Sequence, residues 1–191
     1  MKVLAINGSA RKDGNTAILV KHLFKELEQE GIETELIQLS GETIRGCTAC
    51  GACYKLKNKK CVINNDIVNS LVEKMTEADG IILASPTYFA DVTTELKAVI
   101  DRTGCVAKAN DDLFRRKAGA AVVAVRRGGA IHTFDTINHF FFISQMVVPG
   151  SSYWNVGIGR LPGEVENDEE GLRTMENLGR NMAWLLHKLN G

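Results

Sequence analysis

The sequence predicts a doubly wound α/β fold, a five-stranded parallel sheet with helices on both faces. Three observations predict it. The strand-like runs are apolar throughout rather than alternating, the pattern of strands buried on both faces. They take turns along the chain with amphipathic helical stretches, the order that βαβ crossovers impose. The length, 191 residues, suits one domain, and such a chain buries roughly 70% of its unfolded surface without needing staples.

The elements follow in order. Val3-Leu4-Ala5-Ile6 is a short buried strand that breaks at Asn7-Gly8-Ser9. Residues 15–30 carry Ile18, Leu19, Leu23, Phe24 and Leu27 at helical spacing, and Gly31 stops the helix. Thr34 to Leu39 alternates and reads as a second strand. Asp66 is placed to cap a helix through Ile67, Leu71, Val72 and Met75. Ala78 to Ser85, ending at Pro86, is a third strand, and Glu95 to Arg102 a helix. Ala118 to Arg126 is a fourth strand, stopped by Gly128-Gly129. Ala130 to Gln145 reads as helix, Met146-Val147-Val148 as the fifth strand, and Leu172 to Leu189 as a last amphipathic helix. The acidic run from Gly163 to Glu170 reads as a solvated loop. One domain therefore spans 1–191, with a cysteine-rich loop at 46–61.

Charge narrows the function classes. Lys+Arg and Asp+Glu are both 23, which leaves no electrostatic footprint for general nucleic-acid binding and no polybasic anchor for a membrane surface. The first apolar run is too short for a secretory core, and nothing approaches the roughly 20 apolar residues of a membrane helix. The expectation is a cytoplasmic protein.

In a doubly wound sheet, ligands bind at the carboxyl ends of the strands, so the strand-ending loops carry the candidate site. The first is Gly8-Ser9-Ala10-Arg11-Lys12-Asp13-Gly14-Asn15-Thr16. Its small residues let backbone N–H groups converge at a helix N-terminus, where the dipole favours an anion. Ser9 and Thr16 offer hydroxyl donors and Arg11 a charge. The glycine spacing fits neither a Walker A loop nor a dinucleotide fingerprint. A Gly-rich turn with Asn15 capping the helix is the plainer alternative.

Gly-Ser-x-Arg-x-x-Gly-Asn-Thr after a first strand resembles the phosphate loop of the NADPH-dependent FMN reductase family, whose fold is flavodoxin-like. Ser85-Pro86-Thr87-Tyr88-Phe89, followed by Leu96-Lys97 and Asp101-Arg102, is similar to that family's flavin-ring segment. The resemblance runs from Met1 to about Arg127. It implies FMN, its phosphate held by Ser9, Arg11, Asn15, Thr16 and Ala17, and its ring by Pro86, Thr87, Tyr88 and Phe89. Arg126, Arg127, Gly128 and Gly129 would then lie along the pyrimidine side, where glycines admit a close approach and an arginine favours the reduced anion. Packing within the fold remains the alternative for Tyr88 and Phe89, and a basic turn for Arg126-Arg127.

Cys47-x2-Cys50-x2-Cys53-x7-Cys61 is the most distinctive feature. Two successive CxxC steps bring three thiolates around one centre, and the fourth follows a short loop. A structural zinc site uses two separated knuckles; free thiols or a redox disulfide remain a third outcome. The spacing resembles the compact motif of iron–sulfur flavoproteins, a branch of the same family that carries a [4Fe–4S] cluster. Cys105 stands apart and reads as a small buried hydrophobe. His22, His132, His139 and His187 form no ligand-spaced set.

The resemblance implies a flavin oxidoreductase in which FMN carries the chemistry, with no dedicated catalytic side chain. With a cluster it would accept single electrons from ferredoxin; without one it would be an NAD(P)H-dependent reductase of quinones, flavins or another small-molecule acceptor. A redox- or nucleotide-sensing module is the alternative from a different class. Phe140-Phe141-Phe142-Ile143 with Tyr153-Trp154 offers surplus aromatic surface, so a homodimer or homotetramer is expected.

Overall fold

The computed structural model describes residues 1–191. Five parallel strands, β1 (Lys2–Asn7), β2 (Glu33–Gln38), β3 (Gly80–Pro86), β4 (Ala118–Val125) and β5 (Val156–Ile158), form one sheet in the order β2-β1-β3-β4-β5. This is the flavodoxin-like order, with its switch point between β1 and β3. Helices α1 (Asn15–Gln29) and α6 (Glu169–Asn190) cover one face. The other is covered by α3 (Val68–Glu77), α4 (Thr94–Ala109) and α5 (Ala130–Ile143), while the short α2 (Ala52–Leu56) lies within the cysteine segment.

Strand pleating divides the apolar runs between two cores. Leu4 and Ile6 of β1, Ile81 and Leu83 of β3, and Val123 and Val125 of β4 face Leu71, Met75, Leu96, Val99, Phe140 and Phe141. Val3, Ala5, Ile82, Ala84, Ala120 and Val122 face Leu19, Leu23, Met175, Leu178 and Met182. Every residue of β4 is buried, as double coverage requires. β2 is the edge strand and is only partly covered, and its outer rim carries ion pairs from Glu35 to Lys2 (2.7 Å) and Lys74 (2.5 Å).

Two expectations need correction. Met146-Val147-Val148 is not the fifth strand: Val147 makes a single parallel bridge to Ala118 before Pro149 turns the chain away. β5 is three residues centred on Gly157, where a Cβ would lie 2.6 Å from Leu19 Cδ2. A glycine is required there because α1 packs directly onto the strand. Residues 163–170 are not a free solvated loop: a 3₁₀ turn at Glu164–Asn167 buries Val165 completely, and Asp168 caps α6 by accepting from Gly171 N. The alternative reading of Asn15 as a helix cap does not hold, because Gly14 occupies the cap position of α1.

Candidate functional site

The loops after β1, β3, β4 and β5 enclose a cleft of about 180 Å³ at the carboxyl edge of the sheet. It is lined by Ser9, Arg11, Asn15, Thr16, Pro86, Thr87, Tyr88 and Arg126, all sequence candidates, and by Gly159 and Arg160, which were not. A Gly-Ile-Gly-Arg stretch was the available signal for Arg160; with the fifth strand misplaced, it fell outside any strand end.

Local hydrogen bonds shape the first loop. Asn7 Oδ1 accepts from Ser9 N (2.9 Å), and Ser9 Oγ accepts from Arg11 N (3.1 Å). Gln38 at the end of β2 donates to Ser9 O (2.7 Å) and accepts from Asn7 Nδ2 (2.8 Å). Gly8 presses against α4: a Cβ there would meet Thr93 Oγ1 at 2.7 Å and Leu96 Cβ at 2.8 Å. The loop ends at α1, whose first turn has no side-chain cap and no acidic residue. Its leading N–H groups therefore lack partners and face the cleft as an anion site. Asn15 does a different job from the capping of the alternative reading. Its Oδ1 accepts from Gly163 N (2.9 Å) and Val165 N (3.4 Å), pinning the 3₁₀ turn to α1.

The β3 loop is a tight turn with Phe89 and Ala90 at positive φ (46° and 65°), closed by Tyr88 N to Asp91 O (2.9 Å) and the reverse bond (3.1 Å). Thr87 N is taken by Ala124 O (2.9 Å). The backbone donors left for a ligand are thus those of Phe89 and Ala90, not Thr87 and Tyr88. The Phe89 side chain stands fully in solvent and Tyr88 half so. Asp91 sits beneath the turn. Burial pushes its carboxyl up, but Val92 N–H, Thr136, His132 and Lys97 outweigh that and hold its pKa below the usual range.

Not every candidate lines the cleft. Ala17 is wholly buried in the α1 face of the core. Arg127, Gly128 and Gly129 are exposed; Gly129, at φ +89°, abuts Thr87 and Ala90 and forms the rim.

The four candidate cysteines, Cys47, Cys50, Cys53 and Cys61, line a second, mostly apolar pocket of about 270 Å³ together with Arg102 and Cys105. They are free thiols, and no three potential ligands stand close enough together to hold a metal ion. Cys50 lies two residues before α2, and the Ala52 N–H at the start of that helix donates to its sulfur and lowers its pKa. Cys105 is the correction here. It is half-buried on α4 and opens into this pocket rather than the core, and burial, then Cys47 and Cys53, push its thiol up to about 11. Arg102, grouped in sequence with the flavin segment, also turns to the cysteines.

A third concavity, of about 670 Å³, is bounded by Phe134, Phe142, Tyr153 and Trp154. Phe140 and Phe141 belong to the core, whereas Phe142, Ile143, Tyr153 and Trp154 are all more than half exposed. No helix is long and apolar enough to cross a membrane.

The family model described as NADPH-dependent FMN reductase matches residues 1–160. An iron–sulfur flavoprotein of Methanocaldococcus jannaschii is 40% identical over 190 residues, covering 96% of each chain. Another, of Methanosarcina thermophila, is 34% identical, covering 97% of this chain and 95% of that one. Among solved structures, RosB with bound 8-demethyl-8-formylriboflavin-5'-phosphate superposes with a TM-score of 0.74 at 21% identity, over 99% of this chain and 80% of that one.

Proposed function

Because the chain belongs to the NADPH-dependent FMN reductase family, we propose that it binds FMN in the carboxyl-edge cleft and a [4Fe–4S] cluster in the cysteine pocket. It is an oxidoreductase flavoprotein similar to the iron–sulfur flavoproteins over nearly its whole length. The observation that carries the flavin assignment is the convergence of Ser9, Thr16, Arg11, Arg126 and Arg160 on the uncapped N-terminus of α1. Hydroxyls and unpaired N–H groups there suit a phosphate, and the arginines offset its charge. Thr87 and the free N–H groups of the Phe89-Ala90 turn would meet the ring edge, and Tyr88 its face. FMN supplies hydride and electron transfer; the chain's own residues bind it, orient it and shield it.

The spacing favours a cluster over zinc. Five thiols, including Cys105, and no carboxylate or imidazole line the pocket, and the overlapping CxxC steps of Cys47, Cys50 and Cys53 differ from the two separated knuckles of a structural zinc site. Single electrons from a ferredoxin would then enter through the cluster. A second reading has its own support: the thiols are not drawn together, as suits an NAD(P)H-dependent reductase that lacks a cluster. Iron and acid-labile sulfide near four per chain, with one FMN, support the first reading. FMN without iron supports the second, and a colourless protein overturns both. The exposed aromatic concavity beside α5 is the surface through which the chain would form a homodimer or homotetramer, and a monomeric mass by light scattering at micromolar concentration would refute that.

A further inference from the structure

Arg102 lies on α4, and its side chain is fully buried. Nη1 donates to Arg45 O (3.0 Å) and to the Asp66 carboxylate, and Nη2 donates to Ile63 O (2.8 Å). Arg45 precedes the first cysteine, and Ile63 and Asp66 follow the last. One guanidinium thus ties both stems of the cysteine loop to α4. It has five N–H groups, and these bonds engage only part of them. Nε is buried without any partner, and an orphaned donor of this kind is costly enough to be rare. Arg102 also lines the pocket with all four cysteines. Burial works against its charge, and Asp66 and the Cys61 thiol overcome that to raise its pKa. Nε has no partner within the protein, and the cavity that Arg102 lines is the one the cysteines share, so the pocket is where that partner would come from.

We propose that the unpaired Nε–H of Arg102 is a hydrogen-bond donor to the sulfur of cluster-bound Cys61, and that this bond sets the cluster's reduction potential. The inference rests on the cluster reading and deepens it. A cubane held by four thiolates is anionic and becomes more so on reduction. A donor aimed at a ligand sulfur therefore stabilises the reduced form more than the oxidised one and raises the potential. Asp66 balances the guanidinium's full charge, so the directed N–H bond is the part of Arg102 that distinguishes the two redox states. A residue that only stapled the loop would leave the potential unchanged once the loop was loaded.

The test uses the full chain reconstituted anaerobically with iron and sulfide. Iron is counted first, then the cluster potential is titrated in the wild type and in Arg102→Lys, which keeps a cation opposite Asp66 but has no Nε–H. The proposal expects equal iron content and a more negative potential in the variant. It also expects hyperfine coupling between the reduced cluster and an arginine ¹⁵Nε in the wild type, absent from the variant. An unchanged potential in a folded, iron-loaded variant overturns it. So does the lack of ¹⁵Nε coupling in the wild type, a measurement that decides the matter even if the variant fails to fold. In both cases the cluster reading stands. A wild type that takes up no iron overturns the cluster reading and this inference together.

Discussion

The two regions proposed to bind ligands are built on opposite plans. In the cleft, Ser9 and Thr16 are almost fully buried, and the loops after β1, β3 and β4 leave strands that are hydrogen-bonded on both sides, so the donors are in place before anything binds. The cysteine segment, residues 44–63, has only the five-residue α2, exposed Cys47 and Cys50, and few internal hydrogen bonds. What is fixed there is the stems, through Arg102. The lesson is that one chain supplies a preformed site where a sheet positions it, and a ligand-ordered site where only its ends are anchored. In the second kind, much of the binding energy is folding energy.

The sharpest break is on the cysteine side. Asp66→Ala strands the buried Arg102 charge and is expected to cost about 3–5 kcal/mol of unfolding stability, measured by urea denaturation, with the flavin cleft intact in the folded fraction. Next come Ser9→Ala and Thr16→Ala, each removing a hydrogen bond to a charged phosphate worth about 1.5–3 kcal/mol. FMN affinity by fluorescence titration should fall about ten- to a hundredfold per site with iron content unchanged; unaltered flavin binding in the double variant would remove the phosphate from this loop.

Acid sharpens the comparison more gently. Burial raises the Asp66 carboxyl, but Arg102 and the Val68 N–H prevail and its pKa is lowered; Lys2 and Lys74 lower that of Glu35. Carboxylates depressed in the folded state contribute stability that is fully present above their unfolded values, about 4. That stability is lost as pH falls through the lower folded values. Unfolding free energy should therefore be flat from neutrality to about pH 5 and decline below pH 4, and the decline should shrink in Asp66→Asn. The smallest effect is Phe89→Ala: a side chain wholly in solvent contributes to its own fold within about 0.5 kcal/mol, read from the thermal midpoint.

The sheet was legible because double burial writes itself as unbroken apolar runs: β1, β3 and β4 fall where the sequence places them, within a residue or two. β5 was not, because a three-residue edge strand with glycine at its centre has no periodicity to read, while Met146-Val147-Val148 has the composition of a strand but too little length before Pro149 to pair. The cleft was legible where residues are consecutive with a strand end, as at Ser9 to Thr16 and Pro86 to Tyr88. Arg160 was hidden with its strand. Arg102 and Cys105 were hidden for another reason: which face of α4 meets the cysteine loop is decided by how residues 44–63 cross it, and no local pattern records that crossing.

Asn15 accepts hydrogen bonds from residues 148 and 150 positions further along. A growing polypeptide leaving the ribosome therefore carries the whole loop from Gly8 to Thr16 from the outset but cannot lock it until the segment around Val165 has emerged and α6 has docked on α1. β1, β3 and β4 can associate earlier, as N-terminal parts do during synthesis. Under the proposed assignment, flavin capture is thus a late event in the life of a nascent chain, and a product ending before Val165 would hold the loop's residues without the bond that secures them.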